Sequence, residues 1–309
     1  MTQPPQLDVI IPAANASTTL GAAIESVRSQ HYPGLQSIVV AAADESTSRV
    51  ARDHGAIVVP NPGGSTPVGL NLALSAGDAE FVARIDAHSS VPSGYLDRAT
   101  QILSQTGADN VGGMQVPVGD RGWSRVIAAA MSSRMGAGDA RHRVGGPAGP
   151  AETVYLGVFK RATLIRLGGF DESFTRNQDY ELNHRIRESG GLVWFDPALQ
   201  VIYTPRGSLT ALARQYFDYG RWKRAFSRRH PASLRWRQVL PPLTVAGLAL
   251  SLAGSLFFPW LLWVPASYLA ALIIAAVVEF PRVRWAASGL PIAWAVMHLA
   301  WGTGFIIGD

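Results

Sequence analysis

Over its first two hundred residues the chain alternates short apolar runs with amphipathic stretches of helical period. The apolar runs end at Pro, Asp or His, as strands bounded by turn residues do. The stretches between them repeat apolar residues every three or four positions, which is the period of a helix. We predict strands at 7–12, 37–44, 56–60 and 80–88, and helices at 18–30 and 67–77.

This alternation predicts an α/β fold, in which a Rossmann-like, mostly parallel sheet carries helices on both faces. Ligands of such sheets bind beyond the carboxyl ends of the strands. The rule gathers four residues around one crevice: Pro12, Asn15, Asp44 and Asp86. No G-x-G-x-x-G sequence follows the first strand and no Walker A loop is present, which argues against an ordinary dinucleotide or P-loop site.

The C-terminal part of the chain is apolar. No charged residue occurs from Val239 to Val278, and a bilayer-spanning helix needs roughly 20 apolar residues, so this run predicts two spans with a turn near 258–260. A further apolar stretch at 285–307 predicts a third span. We therefore expect three parts: an α/β domain at 1–220, a basic amphipathic membrane-interface segment at 221–238, and three transmembrane helices at 239–309.

The net charge of +5 comes from one short block. Residues 221–237 contain seven of the 27 Lys and Arg residues and no acid, while the rest of the chain is slightly acidic. A basic block beside an apolar segment indicates a membrane surface, and no nucleic acid is expected. The positive-inside rule puts this block and Arg282 inside, and so puts Asp309 outside. Because the chain begins without a basic n-region, we expect no signal peptide.

The predicted protein is thus a multi-pass protein of the plasma (inner) membrane whose first domain is cytoplasmic. We expect membrane lipid to surround the C-terminal part of the chain. The absence of cysteine excludes a disulfide framework, a thiolate metal site and a Cys nucleophile. Candidate chemistry must therefore rest on carboxylates, imidazoles and arginines.

A first candidate site lies at the end of the fourth predicted strand. Strand alternation puts Asp86 and His88 on one face, with Arg84 two residues earlier. A carboxylate and an imidazole so spaced bind one divalent ion, and oxygen donors favour Mg²⁺ or Mn²⁺. Such an ion would neutralise a diphosphate leaving group. The alternative is an ordinary polar strand end.

A second candidate lies in the segment 177–188, which follows the sequence GGFDE at 168–172. Apolar spacing and the pair Glu181–Arg185 predict a helix over 178–188. Asp179 then lies in the first turn, where the helix dipole favours a negative charge. Such a carboxylate at a crevice acts as general base on a hydroxyl, and the alternative is that it only caps the helix.

A third segment, 131–149, is rich in glycine and contains Arg134, Arg141, His142 and Arg143. It is too long for a plain connector. One interpretation of it, taken by itself, is a mobile surface loop.

Taken in order, these residues resemble family 2 glycosyltransferases of the GT-A fold. The resemblance covers roughly residues 7–225, and its matching elements are the strand ending in Pro12, Asp44, Gly69-Leu70-Asn71, Asp86-x-His88, GGFDE and QDYEL. Longer strings such as NPGGSTPVGLN and RNQDYELNHRIRESGG resemble the succinoglycan-biosynthesis branch of the family. That branch is membrane-anchored and builds polysaccharide on a lipid carrier.

The resemblance implies roles on the donor side of a site. Asp44 would contact the nucleoside, with Pro12 and Asn15 at the same edge, and Asn71 would shape the donor pocket. Arg84 would steady the diphosphate. Asp86, with His88 where many relatives have a second Asp, would hold Mn²⁺ or Mg²⁺.

On the acceptor side, the resemblance implies that Asp179 is the catalytic base. Gln178 stands where many relatives have a second acid and is assigned to the acceptor or its phosphates. Arg221 and Trp222 resemble an element that contacts the diphosphate and acceptor in membrane synthases. Their alternative role is that of an Arg and a Trp at a membrane surface. For the glycine-rich segment 131–149, the resemblance implies an acceptor-side loop that closes over phosphates.

The resulting hypothesis is an inverting, metal-dependent glycosyltransferase. It would move a sugar from a nucleotide-diphosphate donor, with a UDP-sugar favoured, to a hydroxyl of a membrane-associated, polyprenyl-linked glycan. One alternative is a polyprenyl-phosphate sugar synthase. Another is a membrane scaffold that binds nucleotide sugars without turnover.

Overall fold

A computed structural model describes residues 4–174 and 177–308 of the chain. It divides into two compact units. The first, here called the sheet unit, comprises the chain up to Val116 together with Gly145–Tyr203. The second, here called the helical unit, comprises Pro117–Val144 together with the chain from Thr204 onward.

The described residues form nine strands of one sheet, in the spatial order β3-β2-β1-β4-β8-β6-β9-β5 with β7 paired to β9. The strands are β1 (Leu7–Ala13), β2 (Leu35–Ala42), β3 (Ile57–Pro60), β4 (Phe81–Arg84), β5 (Ser89–Ser90), β6 (Asn110–Pro117), β7 (Gly149–Pro150), β8 (Tyr155–Lys160) and β9 (Val193–Tyr203).

The helices follow the order of the chain. They are α1 (Leu20–Arg28), α2 (Glu45–Asp53), α3 (Thr66–Ser75), α4 (Tyr95–Thr106), α5 (Gly122–Met131), α6 (Arg134–Ala137), α7 (Arg141–Val144), α8 (Arg161–Arg166), α9 (Gln178–Glu188), α10 (Leu209–Arg229), α11 (Trp236–Gly254), α12 (Trp263–Val283) and α13 (Leu290–Ile307).

The predicted α/β class is confirmed, and the sheet is mixed. Strand β1 runs parallel to β2 and β4, and β2 runs parallel to β3. Strand β8 is antiparallel to both β4 and β6. The parallel half is the part with regular strand–helix alternation in the sequence, because each helix there serves as a crossover. The antiparallel half pairs β5 and β6, which precede the helical segment of the chain, with β9 and β8, which follow it.

Both faces of the sheet are buried. Val9 and Ile11 of β1 pack with Leu20 of α1 on one face, while Ile10 packs with Leu70 of α3 on the other. This two-sided burial explains the continuous apolar run of β1, since a strand covered on both faces has no solvent side to make polar.

A buried ion pair joins the start of β1 to α8. Arg161 Nη2 lies 2.7 Å from Asp8 Oδ2, and both side chains are almost fully buried. The remaining donors of Arg161 bind the carbonyls of Leu74 and Ala79. Every charge at this position is thus matched, which is the condition for burying an ion pair without a large penalty.

In the helical unit, the glycine-rich segment that we interpreted as a loop contains the short helices α6 and α7. Ser133 caps α6 by accepting from the Gly136 N–H, and it receives the indole N–H of buried Trp294 at 2.9 Å. His298 Nε2 donates to the Met135 carbonyl at 2.8 Å. The composition of the segment does not predict these hydrogen bonds, because Trp294 and His298 belong to α13, more than 150 residues further along the chain.

The described residues contain one candidate membrane-spanning segment, Pro259–Ile307, which includes α12 and α13. Only 11% of the residues in the most apolar stretch of this segment are buried inside the protein. The prediction of three spans is therefore not supported. Helix α11 lacks the required apolarity because its first half contains Arg237, Gln238 and two prolines. Asp309, which we expected outside, lies beyond the described residues.

We expect Arg161→Met to destabilise the protein by about 3–5 kcal/mol, because it leaves the Asp8 carboxylate buried without its cation. The matched control is Arg52→Met. Arg52 is 55% exposed in its pair with Glu45, and such surface pairs contribute about 0–1 kcal/mol. Denaturant unfolding of the detergent-solubilised chain, followed by circular dichroism, measures both. Equal losses in the two variants would contradict a structural role for the buried pair.

Candidate functional site

The metal-binding candidates lie in a turn beyond the sheet. Strand β4 ends at Arg84, two residues before Asp86, and the Ser89 N–H closes a turn onto the Asp86 carbonyl at 2.9 Å. The predicted strand at 80–88 is therefore too long. Strand alternation does not govern Asp86 and His88, because a turn rather than a pleat sets their directions.

One arginine lies between the two candidate carboxylates. Arg84 donates from Nε and Nη2 to Asp86 Oδ1, at 3.3 and 3.0 Å. Its Nη1 lies 3.8 Å from Asp179 Oδ2 and has no hydrogen-bond partner among the described residues. The sequence predicted Arg84 and Asp86 as parts of one candidate site and Asp179 as part of another, and the fold brings the three residues together.

The environment of Arg84 fixes its charge. The side chain is 5% exposed, and burial alone would lower the pKa of its guanidinium. The carboxylates of Asp86 and Asp179 outweigh burial and raise that pKa. Arg84 is therefore permanently charged. It lies between two carboxylates that are both more exposed to solvent than its own side chain.

Asp179 owes its position to α9, whose bounds agree with the predicted helix. Glu181 accepts from both Nε and Nη2 of Arg185, at 2.6 and 2.7 Å. Arg185 also donates to the carbonyls of Leu167 and Gly169. Glu181 therefore has a structural role, and Asp179 is the partly exposed carboxylate in the first turn of this helix.

Asn71 holds the loop that precedes α9. Its Nδ2 donates to the Phe170 carbonyl at 2.9 Å and to Glu172 Oε1 at 3.0 Å. Its Oδ1 accepts from the Phe170 N–H at 2.8 Å. Both ends of the amide are thus engaged by this loop. Within the sheet unit, Asn71 acts through the loop that leads to Asp179.

Asp44 caps α2. Its carboxylate accepts from the Ser46 hydroxyl and from the N–H groups of Thr47 and Asn15. These hydrogen bonds, with that of Ser46 the largest contribution, lower the pKa of Asp44 well below its usual value. Asn15 itself has a left-handed backbone, with φ of 51°. The cap ties the end of β1, which includes Pro12, to the end of β2.

The donor set for a metal ion is small. His88 is exposed and its ring meets the edge of Tyr203 at 6.0 Å between centroids. Within residues 4–174 and 177–308, no three His, Asp or Glu side chains form a metal cluster. Arg84 uses only one oxygen of Asp86. Asp86 and His88 fit an ion that takes most of its ligands from substrate phosphates and water, as Mg²⁺ does.

Tyr155 is a site residue that sequence reasoning missed. It lies on β8, and its hydroxyl is 3.4 Å from the Ser89 Oγ in the Asp86 turn. Burial, followed by the negative charge of Asp86, raises its pKa far above the usual value. A single tyrosine in an apolar strand has no local signal, and only the antiparallel pairing of β8 with β4 reveals it.

The remaining candidates occupy both units. Gln178 is buried in the first turn of α9, next to Asp179 in the sheet unit. Arg221 and Trp222 belong to α10 of the helical unit, where Arg221 is exposed. Residue 220, the expected domain boundary, falls inside this helix.

The family model and the solved structures assign this mixed sheet to the GT-A class of glycosyltransferases. The chain belongs to the family described as glycosyltransferase like family 2, whose model matches residues 4–225. Succinoglycan biosynthesis protein ExoA of Rhizobium meliloti is 31% identical over 315 residues, covering 96% of this chain and 93% of that protein. An uncharacterized glycosyltransferase of Mycobacterium bovis is 30% identical over 203 residues, covering 64% and 85%.

Two solved structures share the fold. Mannosyltransferase PcManGT from Pyrobaculum calidifontis, determined in complex with GDP-Man and Mn²⁺, aligns with a TM-score of 0.61 at 22% identity, covering 99% of this chain and 87% of that chain. TarS from S. aureus aligns with a TM-score of 0.52 at 14% identity, covering 97% and 90%. At these identities the likeness concerns the fold.

The loop before α9 generates a prediction with a matched control. Gly168 and Gly169 have φ of 76° and 75°, but only at Gly169 would a Cβ meet Asn71, 2.5 Å from Oδ1. We expect Gly168→Ala to cost about 1–2 kcal/mol for the left-handed backbone alone. Gly169→Ala should cost about 1 kcal/mol more, through the disturbed Asn71 hydrogen bonds.

Thermal unfolding in the wild type and in an Asn71→Ala background measures this difference. The extra cost of Gly169→Ala should vanish when Asn71 is absent. An unchanged difference would mean that Asn71 does not hold the loop.

Proposed function

We propose that this protein is an inverting glycosyltransferase that transfers a sugar from a nucleotide-diphosphate donor to a hydroxyl group. The observation that supports it is the arrangement of Asp86 and Asp179 around Arg84, beyond β4. One carboxylate is suited to the donor diphosphate and the other to the acceptor. Membership of a glycosyltransferase family supplies the reaction class.

On the donor side, Asp86 and His88 would hold a divalent ion, Mn²⁺ or Mg²⁺. The fold neighbour with GDP-Man and Mn²⁺ supports such a cofactor. A bound ion would supply charge neutralisation to the departing nucleoside diphosphate. Asp44, Asn15 and Pro12 lie at the edge assigned to the nucleoside, where a UDP-sugar is the donor that we favour.

In the transfer step, Asp179 accepts the proton of the acceptor hydroxyl. The hydroxyl oxygen forms a bond to the anomeric carbon from the face opposite the leaving group. The bond from that carbon to the diphosphate oxygen breaks, and its electron pair leaves with the nucleoside diphosphate. A single displacement inverts the configuration of the anomeric carbon. Positioned proton transfer of this kind contributes about 10²–10⁴ in rate.

The acceptor that we propose is a lipid-linked glycan at a membrane, in the synthesis of a cell-surface polysaccharide. The similarity to a succinoglycan biosynthesis protein over nearly the whole chain supports this pathway class. The apolar segment Pro259–Ile307 supports membrane attachment. Residues 1–220 would form the cytoplasmic catalytic domain and 221–238 the interface segment, where Arg221 and Trp222 would serve the acceptor.

We expect Asp179→Asn to bind the donor but lose transfer, because the hydroxyl then has no base. Asp86→Ala should lose the Mn²⁺-dependent part of nucleotide binding. Nucleotide release from UDP-, GDP- and dTDP-sugars in bacterial lipid, together with calorimetric binding with and without EDTA, measures both effects. Near-normal turnover of Asp179→Asn would favour the polyprenyl-phosphate synthase, since a phosphate acceptor is already ionised. Wild-type protein that binds no nucleotide would contradict the proposed function.

Arg84→Lys tests whether the central guanidinium positions Asp179. Lysine keeps the charge but lacks the fork that reaches two carboxylates. We expect donor binding to persist while transfer falls by about tenfold to a hundredfold, the usual effect of a small misplacement. The double variant Arg84→Lys/Asp179→Asn should be no slower than Asp179→Asn alone, because residues that act as a unit are not additive.

The matched control is Arg98→Lys, whose partner Asp196 lies elsewhere in the sheet unit. It should leave transfer unchanged. Loss of donor binding in Arg84→Lys, equal to its loss of transfer, would instead mean that Arg84 serves the diphosphate.

A further inference from the structure

Helix α12 and the end of α11, from Ala249 onward, present an apolar surface that the rest of the helical unit leaves largely uncovered. Ser251 is the buried residue of α11, and Leu272 and Ala276 are those of α12. Phe257, at the connection between the two helices, is 78% exposed, and Val278 near the end of α12 is 73% exposed. No charged residue occurs between Gln238 and Val278. A continuous exposed apolar surface of this length requires a partner.

The two ends of this α11–α12 pair are held by the same short stretch of chain. Arg237, at the start of α11, pairs with Asp139 at 2.7 Å. Arg282, near the end of α12, donates to the Ser132 carbonyl at 3.2 Å. Ser132 and Asp139 flank α6 and lie only seven positions apart in the chain. The pair is therefore a hairpin whose base lies at α6 and whose tip is the connection that contains Phe257.

Helix α13 is just as apolar in sequence, but its surroundings are different. Near its start, Trp294 and His298 donate to Ser133 and to the Met135 carbonyl. Near its end, Gly304 contacts the Phe217 carbonyl of α10 so closely that a Cβ there would collide with it. Arg224 of α10 donates to the Phe305 carbonyl at 2.9 Å. Between these contacts, a Cβ at Gly302 would collide with the Pro241 carbonyl in the first half of α11. Helix α13 is thus enclosed by α10 and by the first half of α11.

Helix α10, which packs on α13, is too polar to lie in hydrocarbon. Arg214, Arg221 and Arg228 of α10 are exposed and recur every seven residues, so they form one stripe along the helix. An arginine at the centre of a lipid-facing helix costs about 2.5–3.5 kcal/mol. Helix α10 therefore belongs at the headgroup surface, where anionic lipids attract such a stripe. Because α13 packs directly on α10, it is held at the same surface.

We propose that the α11–α12 hairpin inserts tip first into the hydrocarbon of an anionic bilayer, while α6, α10 and α13 remain together at the surface where it enters. The inference rests on the membrane attachment proposed above. At 1.5 Å per residue, the 21 residues of α12 span about 31 Å, close to the thickness of the hydrocarbon core. The end of α13 then lies on the same side as α10, in contrast to the outward C-terminus expected from three spans.

Single cysteines test this arrangement without background, since the chain has none of its own. Thr210→Cys marks α10, Phe257→Cys the tip and Ile307→Cys the end of α13; all three native side chains are exposed. A membrane-impermeant maleimide is added to intact spheroplasts or to inverted membrane vesicles of an expressing bacterium. We expect Ile307→Cys to react from the same face as Thr210→Cys, and Phe257→Cys to be protected from that face.

Ile165→Cys, on the exposed part of α8, is the matched control for the side of the sheet unit, and labelling in detergent gives the full reactivity of each variant. Ile307→Cys that fails to react from the face of Thr210→Cys overturns the proposal. So does Phe257→Cys that reacts as readily as Thr210→Cys from that face. A chain that does not sediment with membranes would contradict membrane attachment itself, which separates the two failures.

Discussion

The guanidinium of Arg84 imposes the constraint on which the candidate site depends. A charge this deeply buried costs several kcal/mol unless anions lie beside it, and the anions available in the sheet unit are Asp86 and Asp179. Asp86 lies two residues after Arg84 in the chain, whereas Asp179 lies on α9, almost a hundred residues later. Correct burial of Arg84 therefore requires the turn after β4 and the start of α9 to meet. The energetics of folding and the geometry of the site are coupled through this one side chain.

The start of α9 is itself held by contacts with the loop at 167–170 that precedes it. Arg185 connects Glu181 to the carbonyls of Leu167 and Gly169, and Asn71 binds the next residue of the same loop. A general base must lie within hydrogen-bond reach of its proton, and rotamer freedom at Asp179 would make that reach variable. Ion pairing between Glu181 and Arg185 thus fixes the backbone of the helix that carries Asp179. Of the two neighbouring acids in the first turn of α9, Glu181 therefore serves the structure and Asp179 is available for chemistry.

Sequence reasoning succeeded where the determining interactions are local. The bounds of α9 follow from apolar spacing and an i, i+4 ion pair, and β1 to β3 follow from apolar runs that end at turn residues. It failed where the determining partner is remote. The end of β4 at Arg84, the antiparallel entry of β8 and the placement of Tyr155 all depend on pairings across many residues. Arg84, Asp86 and Asp179 were each proposed from the sequence, but the ion pair from Arg84 to Asp179 has no local signature.

The helical unit shows why apolarity alone misjudges a membrane anchor. Helices α12 and α13 have the same apolar character, because a side chain that faces lipid and one that faces a packed helix are chosen for the same property. Only the contacts distinguish them: α12 is largely uncovered, and α13 lies under a helix with an arginine stripe. A segment of a helix cannot enter hydrocarbon without the partners that are packed on that segment. The depth of an apolar helix in a bilayer is therefore limited by the most polar helix to which it is bound.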